Sequence, residues 1–438
     1  MEVFQRRREK LAHFIKGSAM VLTHYPKAWR NHDVDHPFRQ DSSIYYLSGY
    51  EEAESIFIFR PGHSPESVLF VQPKDEVAEM WEGRRLGPEK AKELYQVDAC
   101  YPITELEDHL SELLLPVDKV YYEFHKNPEF DKLLLQALED GRRSRGRTGL
   151  GIPPILDAKE MIGEMRLYKD AEEIEVMATA ARISAEAHRE AMKFVSPGVN
   201  ERQVCAVLEF VFKMRGADRI GYNPIVATGD NATVLHYNSN NQECKEFDLL
   251  LIDSGCEYRY YTADITRTFP VSGTFTSAQK DFYDAVLNAQ KAVLEVCKPG
   301  TLFKDLHEIS KKHLSQSIHD LGLIKESADT ILNEELYKKY FPHGTGHWLG
   351  LDVHDVGAYL VDGESRPLEE NMYFTVEPGL YVPQDDSTAP EQFRGMGVRI
   401  EDNILITSDG YKNLTETVPK EVKEIEDLMQ QESLLTKI

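Results

Sequence analysis

Residues 247–269, FDLLLIDSGCEYRYYTADITRTF, constrain the fold and the chemistry of this chain more than any other stretch. They begin with an apolar run, 249–252, that predicts a buried strand ending at Asp253. A turn-prone Ser-Gly pair follows, and the aromatic and β-branched residues of 258–269 predict a second strand. The stretch therefore predicts a β-hairpin.

A hairpin centred near Tyr258 and Arg259 places Asp253 opposite Asp264. Directly opposed side chains on one face of such a pair lie only about 5 Å apart. Two carboxylates at that distance raise each other's pKa unless a proton or a cation lies between them. A solvated hairpin with two unrelated acids is the simpler interpretation, but Asp253 ends an apolar strand rather than a polar loop. We therefore expect a metal-bridging pair, with further His and Glu ligands later in the chain.

Length and charge limit the class of protein. With 438 residues the chain is too long for one ordinary core, so two domains are expected. Its 50 basic and 74 acidic residues give a net charge of −24. This charge argues against a nucleic-acid backbone and against an anionic membrane surface as partners.

The cysteines and the apolar segments indicate the compartment. The five cysteines are scattered and form no CxxC pair, so neither a disulfide framework nor a zinc ribbon is indicated. The N-terminal segment MEVFQRRREKLAHFIKG has no apolar signal-peptide core, and no run of about 18 apolar residues occurs. We expect a protein of the reducing cytoplasm, with no membrane span.

The pattern along the chain predicts two domains, 1–160 and 161–438. The first is expected to be an α/β domain, with strands predicted over 20–23, 44–47, 55–59, 68–71 and 119–122. Gly151 to Pro154 marks a break between the domains. The second is expected to be an α+β domain, in which long helices over 167–192, 201–215, 277–296 and 302–321 cover antiparallel strands over 225–228, 247–269, 372–382 and 398–407.

Three later stretches supply the ligand types that the hairpin calls for. They are FPHGTGHWLGLDVHDVG with His343, His347 and His354, MYFTVEPGLYV with Glu377, and GMGVRIEDNILIT with Arg399 and Glu401. Each stretch alone is compatible with a structural role, because Glu-Pro-Gly is usually a turn and a lone strand glutamate usually faces solvent. Their joint presence with two hairpin aspartates indicates a site.

The ordered set Asp253, Asp264, His347, Glu377 and Glu401 resembles the five-ligand dinuclear site of the pita-bread metallopeptidases. Within that group, the motifs DSGCEYRYYTADITRTFPVSG, HGTGHWLGLDVHD, VEPGLY and GVRIEDN are most similar to those of the aminopeptidase P, or Xaa-Pro aminopeptidase, family. FRQDSSIYYLSG and MWEGRRLGPEKA resemble its N-terminal domain, and NLTETVPKEVKEIEDLM resembles its ending. The resemblance covers nearly the whole chain and implies a pita-bread (creatinase/methionine aminopeptidase-like) catalytic domain after the N-terminal domain.

The same resemblance implies two divalent metal ions. Four carboxylates and one imidazole form a hard, oxygen-rich site suited to manganese, so Mn²⁺ is the expected metal. By resemblance, Asp253 and Glu401 touch both ions, Asp264 chelates one, and His347 and Glu377 complete the other. Glu377 is also the implied proton acceptor for a water between the ions.

The resemblance further implies residues that handle the substrate. His354 and His236 would hold the scissile carbonyl as it becomes an oxyanion. Tyr222 and His343 match substrate-side positions, and Arg399 would orient the glutamate two residues after it. From the residues alone, His236 is more simply explained as a buried core histidine.

The function implied is hydrolysis of the bond between an N-terminal residue and a following proline. Prolidase, which is restricted to Xaa-Pro dipeptides, is one alternative, but prolidases tend to carry longer insertions between the later ligands. Here His347 and Glu377 are 30 positions apart, and Glu377 and Glu401 are 24 apart. A metal-free pita-bread binding module and a metal-independent, creatinase-like enzyme are further alternatives, and the complete ligand set argues against both.

Substrate length and assembly are also expectations. The connection PQDDSTAPEQF after Val382 is short and acidic, which would repel the free carboxylate of a dipeptide. We therefore expect longer peptides as substrates, unless Arg394 or an N-terminal-domain arginine such as Arg84 reaches the cleft. The resemblance implies a homodimer or a homotetramer.

Overall fold

The computed structural model describes residues 2–435 of the chain. The chain separates into two units, Met1–Met165 and Arg166–Ile438. No helix among the described residues is long and apolar enough to cross a membrane.

The N-terminal unit alternates strands and helices, which confirms the predicted α/β domain. Its strands are β1 Ala19–Thr23, β2 Trp29–Asn31, β3 Val34–Asp35, β4 Ile56–Phe59, β5 Ser67–Val71, β6 Ala99–Pro102, β7 Val120–Tyr121 and β8 Ile155–Leu156. Its helices are α1 Glu2–Ile15, α2 Ser42–Ser48, α3 Glu76–Glu82, α4 Gly87–Tyr95, α5 Leu106–Leu114, α6 Pro128–Ser144 and α7 Ala158–Leu167, with 3₁₀ turns at Ile103–Glu105 and Gly146–Thr148. One mixed sheet has the order β6-β5-β4-β1-β7-β8. Every residue of β1, β4 and β5 is buried, as expected for strands covered on both faces.

The strand predicted over 44–47 is wrong, because these residues lie in helix α2. Asp41 caps the helix by accepting hydrogen bonds from the backbone N–H groups of Ser43 and Ile44. Gly49 ends it in the left-handed region, with a φ of 74°. The run is buried throughout, and a short apolar run of this kind does not distinguish a buried helix from a buried strand.

The C-terminal unit combines long helices with short antiparallel strands, which confirms the predicted α+β class. Its helices are α8 Ala171–Phe194, α9 Glu201–Met214, α10 Ser277–Leu294, α11 Phe303–Asp320, α12 Ala328–Asn333 and α13 Val422–Met429, with 3₁₀ turns at Gly229–Thr233, Leu336–Lys339 and Glu391–Phe393. Its strands are β9 Arg219–Ile220, β10 Ile225–Thr228, β11 Leu249–Asp253, β12 Cys256–Tyr258, β13 Tyr261–Thr262, β14 Thr266–Pro270, β15 Leu360–Val361, β16 Glu364–Ser365, β17 Tyr373–Val376, β18 Gly379–Val382, β19 Met396–Arg399, β20 Asp402–Ile406 and β21 Tyr411–Asn413.

The strands that carry the site form small neighbouring sheets of order β10-β11-β14, β17-β20-β21 and β18-β19. One apolar cluster joins α8, α9 and α10 to β11 and β14. Burial of that cluster holds the strand ends in place, since apolar burial is the dominant favourable term in folding.

The predicted hairpin is present, but its register differs from the prediction by two residues. Asp253 at the end of β11 lies opposite Thr266 of β14, not opposite Asp264. The turn is centred between Arg259 and Tyr260, whose φ angles of 48° and 71° are left-handed. Two left-handed central residues are typical of a type I′ hairpin turn, and moving the turn by one position moves every opposite residue by two.

The strands predicted over 372–382 and 398–407 are both interrupted. Glu377 and Pro378 separate β17 from β18, because proline has no N–H to continue the ladder. A second break at Glu401 separates β19 from β20. Both glutamates line the same cleft, so the interruptions place them at the site.

Candidate metal centre

Asp253 and Asp264 converge on one hydroxyl group although they are not directly opposite. The hydroxyl oxygen of Tyr222 lies 2.6 Å from Oδ1 of Asp253 and also contacts Oδ1 of Asp264. Asn403 fixes the backbone of Asp264, since its Oδ1 accepts the Asp264 N–H at 3.0 Å and its Nδ2 donates to the Asp264 carbonyl. Both aspartates are buried, so the pair is a fixed feature of the interior.

His347, Glu377 and Glu401 meet the aspartates from other elements. Ligand atoms of Asp264, His347 and Glu401 all lie within 4.8 Å of one another. Nε2 of His347 lies 3.4 Å from Oδ2 of Asp264 and 3.6 Å from Oε1 of Glu377. Nδ1–H of His347 donates to the carbonyl of Trp348 at 3.0 Å, which directs Nε2 at the carboxylates.

Burial and neighbouring charges shift the pKa values of the ionisable groups in this cluster. Burial raises the pKa of Glu377 to about 7 and raises the pKa of Asp253. Burial and the charges of the neighbouring carboxylates raise the pKa of Glu401 well above its usual value. At Asp264 burial is the largest single effect and opposes ionisation, but the contacts with His347 and Tyr222 and the charge of Arg399 together outweigh it and lower the pKa. Burial lowers the pKa of His347, but the hydrogen bond with Asp264 and the negative charges of Glu377 and Asp264 together outweigh burial and raise the pKa to about 9.

The donor set fits divalent metal ions. The five residues predicted as ligands, Asp253, Asp264, His347, Glu377 and Glu401, line one cleft of about 510 Å³. Four carboxylates facing one another are a costly arrangement unless cations lie between them. Oxygen-rich sites with one imidazole suit hard and borderline divalent cations.

The predicted substrate-side histidines line the same cleft. The ring of His354 lies 4.4 Å from the ring of His347 in an edge-on arrangement. His236 is exposed on the cleft wall, which excludes the alternative of a buried core histidine. His343 donates from Nδ1 to the carbonyl of Gly344 at 2.7 Å, and its Nε2 accepts from the Tyr381 hydroxyl at 2.8 Å. Burial lowers the pKa of His343 to about 3, so this ring is neutral.

Arg399 contacts Asp253 directly and Glu401 only through another side chain. Its guanidinium donates to Oδ2 of Asp253 at 2.5 Å, to the hydroxyl of Tyr381 at 3.0 Å and to Oγ1 of Thr266 at 3.1 Å. The Thr266 hydroxyl in turn donates to Oε2 of Glu401 at 2.6 Å. The contact between Arg399 and Glu401 that the resemblance implies is therefore indirect and passes through Thr266.

Two family models match the chain. Metallopeptidase family M24 matches residues 175–408, and the aminopeptidase P N-terminal domain matches residues 4–121. The Xaa-Pro aminopeptidase of Escherichia coli (strain K12) is 40% identical over 429 residues, which cover 97% of each chain. The chain belongs to metallopeptidase family M24.

Two solved structures are similar to this chain over nearly its full length. The aminopeptidase PepP of Pseudomonas aeruginosa matches with a TM-score of 0.94 and 41% identity, over 97% of both chains. Zinc-substituted E. coli aminopeptidase P in complex with product matches with a TM-score of 0.93 and 40% identity, over 98% of both chains. The expected pita-bread catalytic domain and the preceding aminopeptidase P-type domain are thereby confirmed. As a member of this family, the protein is an enzyme that uses divalent metal ions.

Three supporting side chains of this M24 site were not singled out from the sequence. They are Thr266, Tyr381 and Asn403, which hold Glu401, His343 and Asp264. Each lies on a strand that also carries or adjoins a ligand, within two to four positions of it. A polar residue close to a ligand on a buried strand is the signal that indicates them.

Arg394 and Arg84 are the two arginines that could hold the free carboxylate of a dipeptide if they reached the cleft. The guanidinium of Arg394 donates to the carbonyls of Ser387 and Ala389 in its own loop, and Arg394 is not among the residues that line the M24 cleft. Asp386, in the same loop, is paired with Lys339 at 2.7 Å. Arg84 belongs to the N-terminal unit and is highly exposed.

Proposed function

We propose that this M24 metallopeptidase is an Xaa-Pro aminopeptidase, which releases the N-terminal residue from peptides with proline in the second position. The observation that carries the proposal is one cleft that brings together four carboxylates, His347 and three further histidines. This arrangement belongs to a chain that is 40% identical, over 97% of its length, to an Xaa-Pro aminopeptidase.

We assign Asp253, Asp264, His347, Glu377 and Glu401 to two divalent ions and propose manganese as the metal. The preponderance of carboxylate oxygens over imidazole nitrogen supports manganese over softer metals. When bound, such ions polarise a carbonyl oxygen and lower the pKa of water. The alternative of a metal-free binding module has no support, because every ligand position is filled and converges on the cleft.

Glu377 is the proposed proton acceptor. Its side chain is partly exposed to the cleft, and Oε2 lies 3.9 Å from Nδ1 of His343 on the substrate side. A carboxylate at this position can take a proton from the attacking water and pass it to the departing proline nitrogen. The backbone N–H of Glu377 donates to the carbonyl of Thr345 at 2.8 Å, which fixes the acceptor.

His354 and His236 are the proposed donors to the scissile carbonyl. Both line the cleft beside the carboxylates, where a peptide carbonyl must lie for attack. Hydrogen bonds from their rings strengthen as negative charge develops on the oxygen, which stabilises the transition state more than the bound peptide. Tyr222, His343 and Arg399 are proposed to shape the remaining substrate wall.

Peptides longer than dipeptides are the proposed substrates. A dipeptidase needs a cation that holds the carboxylate just after the proline. Among the described residues that line the cleft, the one arginine is Arg399. Its guanidinium already donates hydrogen bonds to Asp253, Thr266 and Tyr381. Arg394 is committed to carbonyls of its own loop. These commitments favour an aminopeptidase over a prolidase.

We also propose a homodimer or a homotetramer and a cytoplasmic location. Val77, Met80 and Trp81 are strongly exposed on one face of α3, and a clustered apolar face of this kind supports association. All five cysteines are free, which supports a reducing compartment. Peptides are the proposed partners, and the net charge of −24 argues against nucleic acid.

The test compares kcat/KM for Xaa-Pro, for Xaa-Pro-Yaa-Zaa and for an Xaa-Ala-Yaa-Zaa control after reconstitution with Mn²⁺, Zn²⁺ or Co²⁺. We expect cleavage of the proline tetrapeptide, weak cleavage of the alanine control, and highest activity with Mn²⁺. Asp264→Ala should lose bound metal and activity, whereas Asp281→Ala, an exposed acid on α10, should keep both. Rapid cleavage of the dipeptide without cleavage of the tetrapeptide would make the protein a prolidase.

A further inference from the structure

A buried carboxylate outside the cleft holds the segment that carries His236. Glu201 is the first residue of α9, and its side chain is 0% exposed. It does not line the cleft and is not one of the metal-binding candidates. The segment in question, residues 229–242, connects β10 to the chain that leads into β11 and places Leu235, His236 and Asn238 on the cleft wall.

The Glu201 carboxylate accepts four hydrogen bonds, three from this segment and one from Thr228, the residue just before it. Oε1 accepts from the backbone N–H of Thr228 at 2.8 Å and from Nδ2 of Asn231 at 2.9 Å. Oε2 accepts from the hydroxyl of Tyr237 at 2.8 Å and from the backbone N–H of Gln242 at 2.9 Å. The backbone N–H of Glu201 donates to the Gln242 carbonyl at 2.9 Å, so both ends of the segment are tied to one residue.

A carboxylate can accept all four of these hydrogen bonds. Two oxygens with about four lone-pair sites can accept four hydrogen bonds, whereas an amide presents two N–H donors on one side. In Glu201→Gln the amide nitrogen would face donors such as the Gln242 N–H. The position at the start of α9 also favours negative charge, because the helix N-terminus carries a partial positive charge.

The contact at Tyr237 links this carboxylate to the cleft. Tyr237 directs its hydroxyl inward to Glu201, while His236, the preceding residue, is exposed on the cleft wall. Regular structure in the segment is limited to the 3₁₀ turn Gly229–Thr233, so the position of His236 depends on these tethers rather than on a strand or a helix.

We propose that Glu201 is a positioning residue for His236, which acts by fixing residues 229–242 against α9. This inference rests on the role proposed above for His236 as a donor to the scissile carbonyl. It predicts that loss of the Glu201 charge lowers turnover by misplacing His236, without loss of metal.

The experiment is a double-mutant cycle on metal-loaded enzyme with an Xaa-Pro-Yaa-Zaa peptide. His236→Ala should lower kcat by about 10²–10³, and Glu201→Gln should lower it by about 10-fold, a smaller loss because the ring is displaced rather than removed. In the Glu201→Gln background, the factor by which His236→Ala lowers kcat should be at least about 5-fold smaller than in wild type, because the effects of coupled residues are not additive. Hydrogen exchange of peptides from 229–242 should be faster in Glu201→Gln and unchanged in His236→Ala.

The matched control is Glu190→Gln. Glu190 is also a buried helix carboxylate, but it accepts hydrogen bonds from Lys193 and Leu434, far along the chain from the His236 segment. The Glu190→Gln substitution should leave the factor by which His236→Ala lowers kcat unchanged. Should Glu201→Gln fail to fold, Tyr237→Phe, which removes one donor, is expected to show the same non-additivity at smaller size.

Each outcome decides the proposal. If His236→Ala lowers kcat by the same factor in the wild-type and Glu201→Gln backgrounds, the positioning role of Glu201 is overturned, while the role of His236 stands. A His236→Ala variant with wild-type kcat instead removes the donor role of His236, and the inference about Glu201 falls with it. Non-additivity together with faster exchange in 229–242 and an unchanged metal content supports the inference.

Discussion

Nη2 of Arg399 lies 2.5 Å from Oδ2 of Asp253, within a line of hydrogen bonds that ends at His343. The same guanidinium donates to the Tyr381 hydroxyl at 3.0 Å, and that hydroxyl lies 2.8 Å from Nε2 of His343. Arg399 is buried, so this line of contacts is shielded from solvent. One planar group therefore fixes a metal-ligand candidate and a substrate-side ring together.

Replacement of Arg399 by lysine should lower metal affinity or kcat by about 10–100-fold, the range for loss of a group that orients a ligand. A lysine ammonium is a compact point charge and does not reproduce the three directed contacts of the guanidinium. Calorimetric titration with Mn²⁺ and steady-state kinetics measure the two quantities. Arg394→Lys is the control, because among residues 2–435 that guanidinium donates only to carbonyls of its own loop. Wild-type values of both quantities in Arg399→Lys would contradict the expected role.

His188 predicts a pH dependence of stability. Its ring is 0% exposed, Nε2–H donates to the Ser254 carbonyl at 2.8 Å, and Nδ1 has no hydrogen-bond partner among the described residues. Burial lowers the pKa of His188 to about 4, whereas an unfolded histidine has a pKa of about 6.5. Between these values the unfolded chain binds the proton and the native protein does not. Stability from this group is therefore complete above pH 6.5 and falls as the pH is lowered toward 4, by about 3 kcal/mol.

The measurement for His188 is urea denaturation of wild type and His188→Gln from pH 4 to pH 7, both stripped of metal so that metal loss does not contribute. Glutamine can still donate to the Ser254 carbonyl, but it does not titrate. The stability difference between the two proteins should shift in favour of the variant as the pH falls. A pH-independent difference would show that His188 titrates alike in both states.

Asp41 predicts a stability effect in the N-terminal unit. Its Oδ1 caps α2, and its Oδ2 lies 2.8 Å from Nζ of Lys126, whose side chain is only 6% exposed. Asp41→Ala removes the cap and, among the residues that the structure describes, leaves Lys126 with Glu123 as its salt-bridge partner. We expect a loss of about 2–4 kcal/mol in the free energy of unfolding. Asp41→Asn keeps a good capping residue and should lose less, and Asp41→Ala with Lys126→Met should recover part of the loss. Equal stability of Asp41→Ala and wild type in urea denaturation would contradict this account.

The metal-ligand candidates were predicted from their joint presence and from the family resemblance, and three of the five also carry a local signal. Asp253 ends an apolar strand, Glu377 precedes a proline that interrupts one, and His347 lies among glycines that allow close backbone approach. The register of the hairpin could not be predicted, since it depends on whether the turn is centred one residue earlier or later. Nothing in the composition of 258–261 decides between these two positions.

Hydrogen bonds between side chains far apart in the sequence could not be predicted from it. Glu201 and Tyr237 are 36 positions apart, and Arg399 and Asp253 are 146 apart. No periodicity links such residues, because their contact depends on the packing of α9 and of the small sheets. Helix α2 is a different case. Asp41 and Gly49 are residue types that favour helix ends, but the short apolar run between them is equally typical of a buried strand.

His354 should act on the transition state and not on metal retention. Its ring lies edge-on to His347 at 4.4 Å, and among residues 2–435 it has no hydrogen-bond partner, so its ring N–H is available to a substrate carbonyl. Burial lowers the pKa of His354, which keeps the ring neutral at pH 7 with one N–H to donate. His354→Ala should lower kcat by about 10²–10³, the range for loss of one oxyanion donor, with little change in KM.

Metal analysis alongside the kinetics separates this role for His354 from that of a ligand. The metal content of His354→Ala should equal that of wild type, because the five ligand candidates are untouched. His313→Ala, an exposed histidine on α11 that does not line the cleft, should keep both metal and turnover. A His354→Ala protein that loses metal while keeping its affinity for the peptide would make His354 part of the metal centre, and the proposed donor to the carbonyl would then be His236 alone.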